Sequence, residues 1–393
     1  MAILASQFPP FVHVQPTKAD IPFVDLGVID LSKYAEGPEG LPARLALAEE
    51  LEEAVRTQGF FFIINHGYPQ EKIDSLLALS QAILDLPQEV KEQHLAGSLR
   101  SDDDSFADPK KLGGERGAGF KPRKYWAMQR GVRDNIEHFN WRDLLHPALM
   151  HQHNYPPIVH EHLEEVAEYY RYLHFVVLRK LCVLFDIILE VDDGTTWKLL
   201  DVVENDPAQS GGGFGRAMLY HGMSAEDEEK TQGTWLRGHS DGSAVTFLTS
   251  QPMASLQFRD YHDGQWKFVG YKPGGLVVNV GDLLEFLTGS YFKSTIHRVV
   301  GPPADQRGHR RLGLIYFCDT KPGVYVDPES LNSPKLERLG YVRPPGWEKI
   351  TTRQWAEFKG KSFGKAVVNG NEGDEPKPFY IAGRLAERWH QKV

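Results

Sequence analysis

Residues 237–248 read RGHSDGSAVTFL, and the rest of the chain can be read outward from this stretch. In an extended backbone, side chains two positions apart share a face. His239 and Asp241 therefore aim the same way and Ser240 the other, while Gly242 lets the chain turn directly after the carboxylate. His297, fifty-six positions beyond Asp241, lies in a second strand-like run, FKSTIHRVV (292–300). Arg311 comes fourteen positions later in a third, RRLGLIYF (310–317), with Arg310 expected on the opposite, solvent-facing side. From Gly215 to Asp319 short strands alternate with Gly, Pro and Asp turns, the pattern of a double-sheet antiparallel barrel. Inside it, GDLLEFLTG (281–289) reads as a short helix with Asp282 as its N-cap and Gly289 as its stop.

Two imidazoles and one carboxylate on a metal leave three coordination positions open. That suits a non-haem Fe(II) oxygenase, in which O2 and a co-substrate must both reach the iron. With 16 histidines and 53 acidic residues, an isolated His-x-Asp is unremarkable. The distant histidine and the arginine in the next strand give it weight. The planar fork of Arg311 matches a carboxylate bidentately and would supply fixed positive charge for a dicarboxylate. The competing reading is a salt bridge to one of the chain's own acids, since a buried guanidinium is costly unless paired.

Outside this core, IPFVDL (21–26) reads as a strand, 42–57 as a helix, GFFFIINHG (59–67) as a buried strand, and 69–85 as a second helix. A long helix is expected over 158–189. Residues 96–118, rich in Asp, Ser, Lys and Gly, read as a mobile loop and, with the C-terminal helix, as a candidate lid. NGNEGDEPKP (369–378) reads as a linker before a final helix. The implied organisation is an N-terminal region over 1–150, a helix plus barrel core over 151–345, and a helical extension over 346–393. At 393 residues the chain can bury a large core. A formal charge of −9 gives no support to a nucleic-acid surface. Two cysteines exclude a disulfide framework or a Cys-rich metal site. No apolar run reaches the roughly 20 residues of a membrane span, and the first residues lack a signal-peptide pattern, so a cytoplasmic protein is expected. HPALMHQHNY (146–155) fits no common ligand spacing and reads as a polar loop.

Several long motifs, in order, resemble the isopenicillin N synthase-like family of Fe(II)/2-oxoglutarate-dependent dioxygenases. They are IPFVDL, GFFFIINHGYP with DLPQEVK, GAGFKPRKYW (117–126), LQFRDYHDGQWKFV (256–269) and PGGLVVNVGDLLEFLTGSYFKSTIHRV (273–299). The resemblance implies a fold that is mainly β with flanking helices around a distorted double-stranded β-helix (jelly-roll) core. It implies Fe(II) held by His239, Asp241 and His297, with 2-oxoglutarate as co-substrate and O2 as oxidant. Arg311 matches the arginine that binds the far carboxylate of 2-oxoglutarate, and Tyr220, in RAMLYH (216–221), matches a tyrosine that also contacts it. Two positions depart from the family pattern: Gly313 stands where serine is usual, and Met218 where asparagine is.

By the same resemblance Phe120, Lys121, Arg123, Tyr125, Phe214, Arg216, Arg237, Phe247 and Phe317 lie in or beside motifs that border the cavity in relatives. The aromatics would suit a ring-bearing substrate, and Arg123 or Arg237 an acidic one. The expected function is hydroxylation, desaturation or cyclisation of a small organic molecule, a secondary metabolite, with release of succinate and CO2. Isopenicillin N synthase and the plant ethylene-forming oxidase share the arginine motif without using 2-oxoglutarate. An iron oxidase of the same fold therefore stays open, as does a non-enzymatic metal- or ligand-binding barrel. Neither a nucleic-acid nor a membrane partner is expected, and oligomeric state is not legible.

Overall fold

The structure is a computed structural model that describes residues 8–96, 117–126, 128–341, 343–362 and 379–387. Twelve strands build two facing sheets: β1 (Gly27–Asp30), β2 (Phe60–Ile64), β3 (Gly119–Lys121), β4 (Ile136–Trp141), β5 (Gly212–Tyr220), β6 (Thr234–His239), β7 (Val245–Thr249), β8 (Leu256–Arg259), β9 (Trp266–Phe268), β10 (Leu276–Val280), β11 (His297–Val300) and β12 (Arg311–Asp319). The larger sheet runs β1-β2-β10-β7-β12-β5-β4-β3 and the smaller β6-β11-β8-β9. Only the β1–β2 pair among these is parallel. This is the expected jelly-roll, mainly sheet with helices on its flank.

Period-two alternation divides the large sheet cleanly between two cores. Phe61, Ile63, Phe139, Ala217, Leu219, Phe247, Leu312, Leu314 and Tyr316 face outward into the larger apolar cluster with the helices α1 (Leu41–Thr57), α2 (Gln70–Leu84), α3 (Leu163–Tyr172) and α4 (Arg179–Leu189). Phe60, Phe62, Ile136, Met218, Tyr220 and Val277 face inward, against Leu236, Leu256, Phe258 and Val299 of the small sheet. The outer cluster is the adhesive layer; the inner one is the lining of the barrel.

Several elements differ from the sequence expectation. IPFVDL is not a strand: it makes an isolated bridge, Phe23 to Phe268, and the ladder begins at Gly27. Pro22, with no N–H to give, contributes only its carbonyl, to Phe268 N. The long helix is broken at His162 (φ −120°) and carries a π-helical turn over Leu173–Leu178. That turn holds buried His174, whose ring bridges Tyr316 Oη (3.0 Å) and Leu200 O (3.0 Å). In the barrel's short helix α5 (Asp282–Leu287) the cap is Gly281, and Asp282 is the first helical residue. Its carboxylate is committed elsewhere, to Ser294 Oγ (2.9 Å) and Lys359 Nζ (2.7 Å). Toward the C-terminus lie α6 (Thr352–Ser362) and, in place of the final helix, a hairpin of β13 (Phe379–Ile381) and β14 (Arg384–Glu387). The loop 96–118 and the linker 369–378 fall almost wholly and wholly outside the described residues. No helix among the described residues is long and apolar enough to cross a membrane.

Candidate active site

The strand β6 ends at His239, and Asp241 sits just past it in the turn rather than in extended backbone. Across the small sheet His297 pairs in register with His239. The two rings lie 4.3 Å apart, and both Nε2 atoms face Asp241 Oδ1, at 3.7 Å and 3.8 Å. One ligand atom from each of the three lies within 4.8 Å of the others, a grouping a single ion could share.

Each donor is aimed by a second contact. His239 Nδ1 is 2.9 Å from Arg237 O, and His297 Nδ1 is 3.2 Å from Thr295 O, so an Nδ1–H on each ring turns Nε2 inward. Asn279 Nδ2 donates to Asp241 Oδ2 at 2.9 Å, which leaves Oδ1 facing the imidazoles. Burial and the neighbouring His297 push His239 down to about 3, so its imidazole is neutral and a lone pair is available. Burial works against the charge on Asp241, but the facing rings and the hydrogen bonds from Asn279 and Thr246 together hold the carboxyl below its usual range. Two imidazole nitrogens plus one carboxylate, with an open side toward a cavity, fit Fe(II).

The ligand turn is clamped from beneath. Asp282 N donates to Asp241 O at 2.7 Å, and Gly281 N to Ala244 O at 2.9 Å. A Cβ at 281 would stand 2.1 Å from Ser243 O, so only glycine lets the strand-to-helix junction approach this closely. From the other side Trp355 Nε1 donates to Gly242 O (3.1 Å), and Lys359, four residues on and so on the same helix face, pairs with Asp282.

The triad opens into a cavity of about 390 Å³ lined mostly by apolar side chains. Its floor is the inner face of β5 and β12, whose register pairs Tyr220 with Arg311, Met218 with Gly313, Arg216 with Ile315, and Phe214 with Phe317. Arg311 is 5% exposed, stacks 5.1 Å from the Tyr220 ring, and its Nε has no hydrogen-bond partner among the described residues. Tyr220 is the group that supports its charge against burial; among the described residues no carboxylate does. Burial pushes Tyr220 up to about 12, so its hydroxyl stays protonated and can donate. The two departures from the family pattern, Gly313 and Met218, are thus cross-strand neighbours. The Gln251 carboxamide, bonded to Leu312 O, takes up the room that a side chain at 313 would need: its Nε2 is 2.9 Å from a Cβ there.

Of the pocket residues suggested by the sequence, Phe214, Arg216 and Phe317 line the cavity, while Phe120, Arg123, Tyr125, Arg237 and Phe247 do not. Phe247 and Phe120 lie on the outer face of the sheet, in the helix-side core; beside Phe247, Thr246 and Leu248 are the inward residues. Lys121 is buried in an ion pair with Asp134 (2.7 Å), and Arg123 is exposed beside a separate surface hollow. Tyr125 packs at the edge of the inner cluster, and Arg237 is buried on β6 away from the cavity. Reading the sequence missed Asn279, Arg142, Asp319, Trp355 and Lys359. Asn279 was recoverable: it stands in VNVGD, two residues before the glycine clamp. Nothing in the sequence placed α6 over the cavity.

Comparison with known proteins decides the family. The model for the 2OG-Fe(II) oxygenase superfamily matches residues 217–320, and that for the N-terminal region of non-haem dioxygenases in morphine synthesis matches 26–158. The chain belongs to the 2OG-Fe(II) oxygenase superfamily. It is an Fe(II)/2-oxoglutarate-dependent dioxygenase, an oxidoreductase that uses Fe(II), 2-oxoglutarate and O2. Among curated relatives of this oxygenase, jasmonate-induced oxygenase 3 of Arabidopsis thaliana is 28% identical over 86% of this chain and 80% of its own length. Deacetoxyvindoline 4-hydroxylase of Catharanthus roseus is 25% identical over 86% and 74%. In fold, the oxygenase is similar to a full-length Neurospora crassa protein solved in complex with alpha-KG and 5-formyluracil. The TM-score is 0.66 at 18% identity, with coverage of 88% of this chain and 99% of that one. JOX2 in complex with 2OG, Fe and JA superposes with a TM-score of 0.63 at 20% identity, over 95% and 97%.

Proposed function

We propose that His239, Asp241 and His297 hold the Fe(II), that Arg311 and Tyr220 bind the far carboxylate of 2-oxoglutarate, and that the enzyme hydroxylates, desaturates or cyclises a small secondary metabolite. The observation that carries the assignment is Arg311. It is a desolvated guanidinium with a tyrosine in register beside it and no acid partner among the described residues, in the cavity that contains the triad. A buried arginine left in this state is offset by an anionic ligand.

When bound, iron, O2 and 2-oxoglutarate supply the oxidation, with release of succinate and CO2. The chain's own part is placement. Asn279 fixes the orientation of Asp241, and the backbone carbonyls at 237 and 295 fix the two rings. Arg311 and Tyr220 set the distance of the co-substrate from the triad. The apolar lining from Val277, Leu248, Leu256 and Val299 keeps water from the reacting end. Which product forms depends on where a substrate C–H bond lies, at the scale of about an ångström. The relatives named as hydroxylase and oxygenase favour oxygen insertion.

The test is anaerobic titration of the Fe(II)-loaded chain with 2-oxoglutarate, following the weak visible charge-transfer band of the chelate. The band is expected with the wild-type chain, and at much higher 2-oxoglutarate concentration with Arg311→Met. Iron binding with no band at any concentration would overturn the assignment.

A further inference from the structure

The cavity has a second cationic pole. Arg216 projects from β5 on the same face as Tyr220, four residues away, which is roughly 13 Å of strand at about 3.3 Å per residue. Its Nε donates to Asn140 Oδ1 at 2.8 Å. Its guanidinium stands 5.1 Å from the Phe214 ring and 5.2 Å from Phe317, and these two rings stack at 4.7 Å. Among the described residues the terminal nitrogens have no hydrogen-bond partner, and no carboxylate pairs with Arg216. Burial and the nearby Arg142 push it down to about 9, which still leaves it charged at neutral pH.

A purely structural arginine would be expected to find an acid or several backbone carbonyls. Arg216 instead has one amide, which fixes Nε, and an aromatic pair, which holds the plane of the fork. The edge left over is the one that fits a carboxylate bidentately. Beside it lies a stacked aromatic wall. If 2-oxoglutarate takes the Arg311 pole, as the reading above has it, this second pole belongs to the molecule being oxidised.

We propose that Arg216 binds the carboxylate of the primary substrate, and that this substrate is an anionic, ring-bearing small molecule laid against the Phe214–Phe317 pair. The role expected from the sequence for Arg123 or Arg237 falls to Arg216.

The probes are matched pairs of aryl carboxylates and their primary amides: 1-naphthoate, 4-phenylbutyrate and biphenyl-4-carboxylate. Binding is measured by calorimetry, anaerobically, on the full-length Fe(II)-loaded chain saturated with 2-oxoglutarate. At least one acid should bind about tenfold or more tightly than its amide, and in Arg216→Gln the preference should shrink to within about twofold, as expected for loss of a charge-assisted pair. Arg216→Lys keeps the charge and should keep part of the preference, which separates charge from fold damage. The 2-oxoglutarate charge-transfer band, read in the same samples, should be unchanged by either variant. Absence of any acid-over-amide preference, including no binding by either partner, would overturn the proposal. So would a preference that survives Arg216→Gln, or one that 2-oxoglutarate competes away, which marks binding at Arg311. Loss of the band itself would instead count against the assignment of Arg311 and Tyr220.

Discussion

Arg311→Met should make the ligand-free protein more stable and the co-substrate complex weaker. The side chain is 5% exposed; among the described residues it lacks a carboxylate partner, and its Nε has no partner at all. Replacing buried charge by an apolar side chain of similar volume is neutral to stabilising by about 1–4 kcal/mol, and methionine is flexible enough to fill the space. Truncating one member of a buried charge pair costs about 2–5 kcal/mol of binding, so the Kd for 2-oxoglutarate should rise roughly 30- to 4,000-fold. Tyr220→Phe, which removes one hydrogen bond to a charged ligand, should cost about 1.5–3 kcal/mol of binding and, because the hydroxyl also supports buried Arg311, should lower the apo stability too. Differential scanning calorimetry of the metal-loaded chain, with and without saturating 2-oxoglutarate, reads both sides at once. The Arg311→Met melting temperature should be equal or higher without the ligand and should fail to respond to it. A variant that melts several degrees lower when ligand-free, yet binds 2-oxoglutarate within about threefold of wild type, would refute the reasoning: Arg311 would then be a structural cation.

Three further outcomes follow from contacts around the site. Asn279→Ala frees the Asp241 carboxylate to rotate, and Fe(II) affinity should fall about 10- to 100-fold in an anaerobic competition titration; an unchanged affinity would show that Asp241 is held by other means. Asp319 is pushed up by burial to about 6, so the folded state binds more protons than the unfolded one between the ordinary 3.8 and 6. Stability is thus lost as pH rises through that window, by up to about 3 kcal/mol. Asp319→Asn should accordingly gain on wild type at pH 8 and not at pH 4 in chemical denaturation, and equal gains at both would reject the burial argument. Tyr316→Phe leaves His174 Nδ1 buried without its 3.0 Å partner and should cost about 1–3 kcal/mol in urea unfolding; a loss below about 0.5 kcal/mol would mean that water replaces the hydroxyl.

The triad and Arg311 were legible because their neighbours form long motifs; strand spacing alone would not have sufficed, since Asp241 sits in the turn past β6. The aromatic pocket residues were harder for a specific reason. In VTFL the phenylalanine looks like a natural cavity wall, yet His239 and Asp241 say nothing about which parity of β7 faces inward. The turn over 240–244 is irregular, so alternation cannot be carried through it. Register supplies the answer only once β7 is paired with β10 and β12, when Thr246 aligns with Asn279 and Phe317, and Leu248 with Val277 and Ile315. IPFVDL failed for the opposite reason: its composition is strand-like, but Pro22 removes a donor, and the ladder starts later. The break in the long helix at His162 could not be seen, because Val159, Leu163 and Val166 keep the apolar spacing running across it.

Both cationic poles of the cavity depend on one ladder. Arg311, Gly313, Ile315, Phe317 and Asp319 alternate inward along β12, and Tyr220, Met218, Arg216 and Phe214 run opposite them on β5, pair by pair. A slip of β12 by one residue against its neighbours would turn Leu312, Leu314 and Tyr316 into the cavity and Arg311 into the helix-side core, where nothing could solvate it; the same slip of β5 would do this to Arg216. The outer residues of the same strands pack into the larger apolar cluster, so the register that buries Leu312, Leu314, Tyr316, Ala217 and Leu219 is also the register that aims Arg311 and Arg216. This ties substrate placement to the stability of the sheet rather than to a loop. Substitutions on the outer face, such as Tyr316→Phe, should therefore lower stability without altering which ligand charge the cavity accepts. Changes at Arg216 and Met218 should alter ligand preference at little cost in folding, whereas a side chain at Gly313 must first displace Gln251.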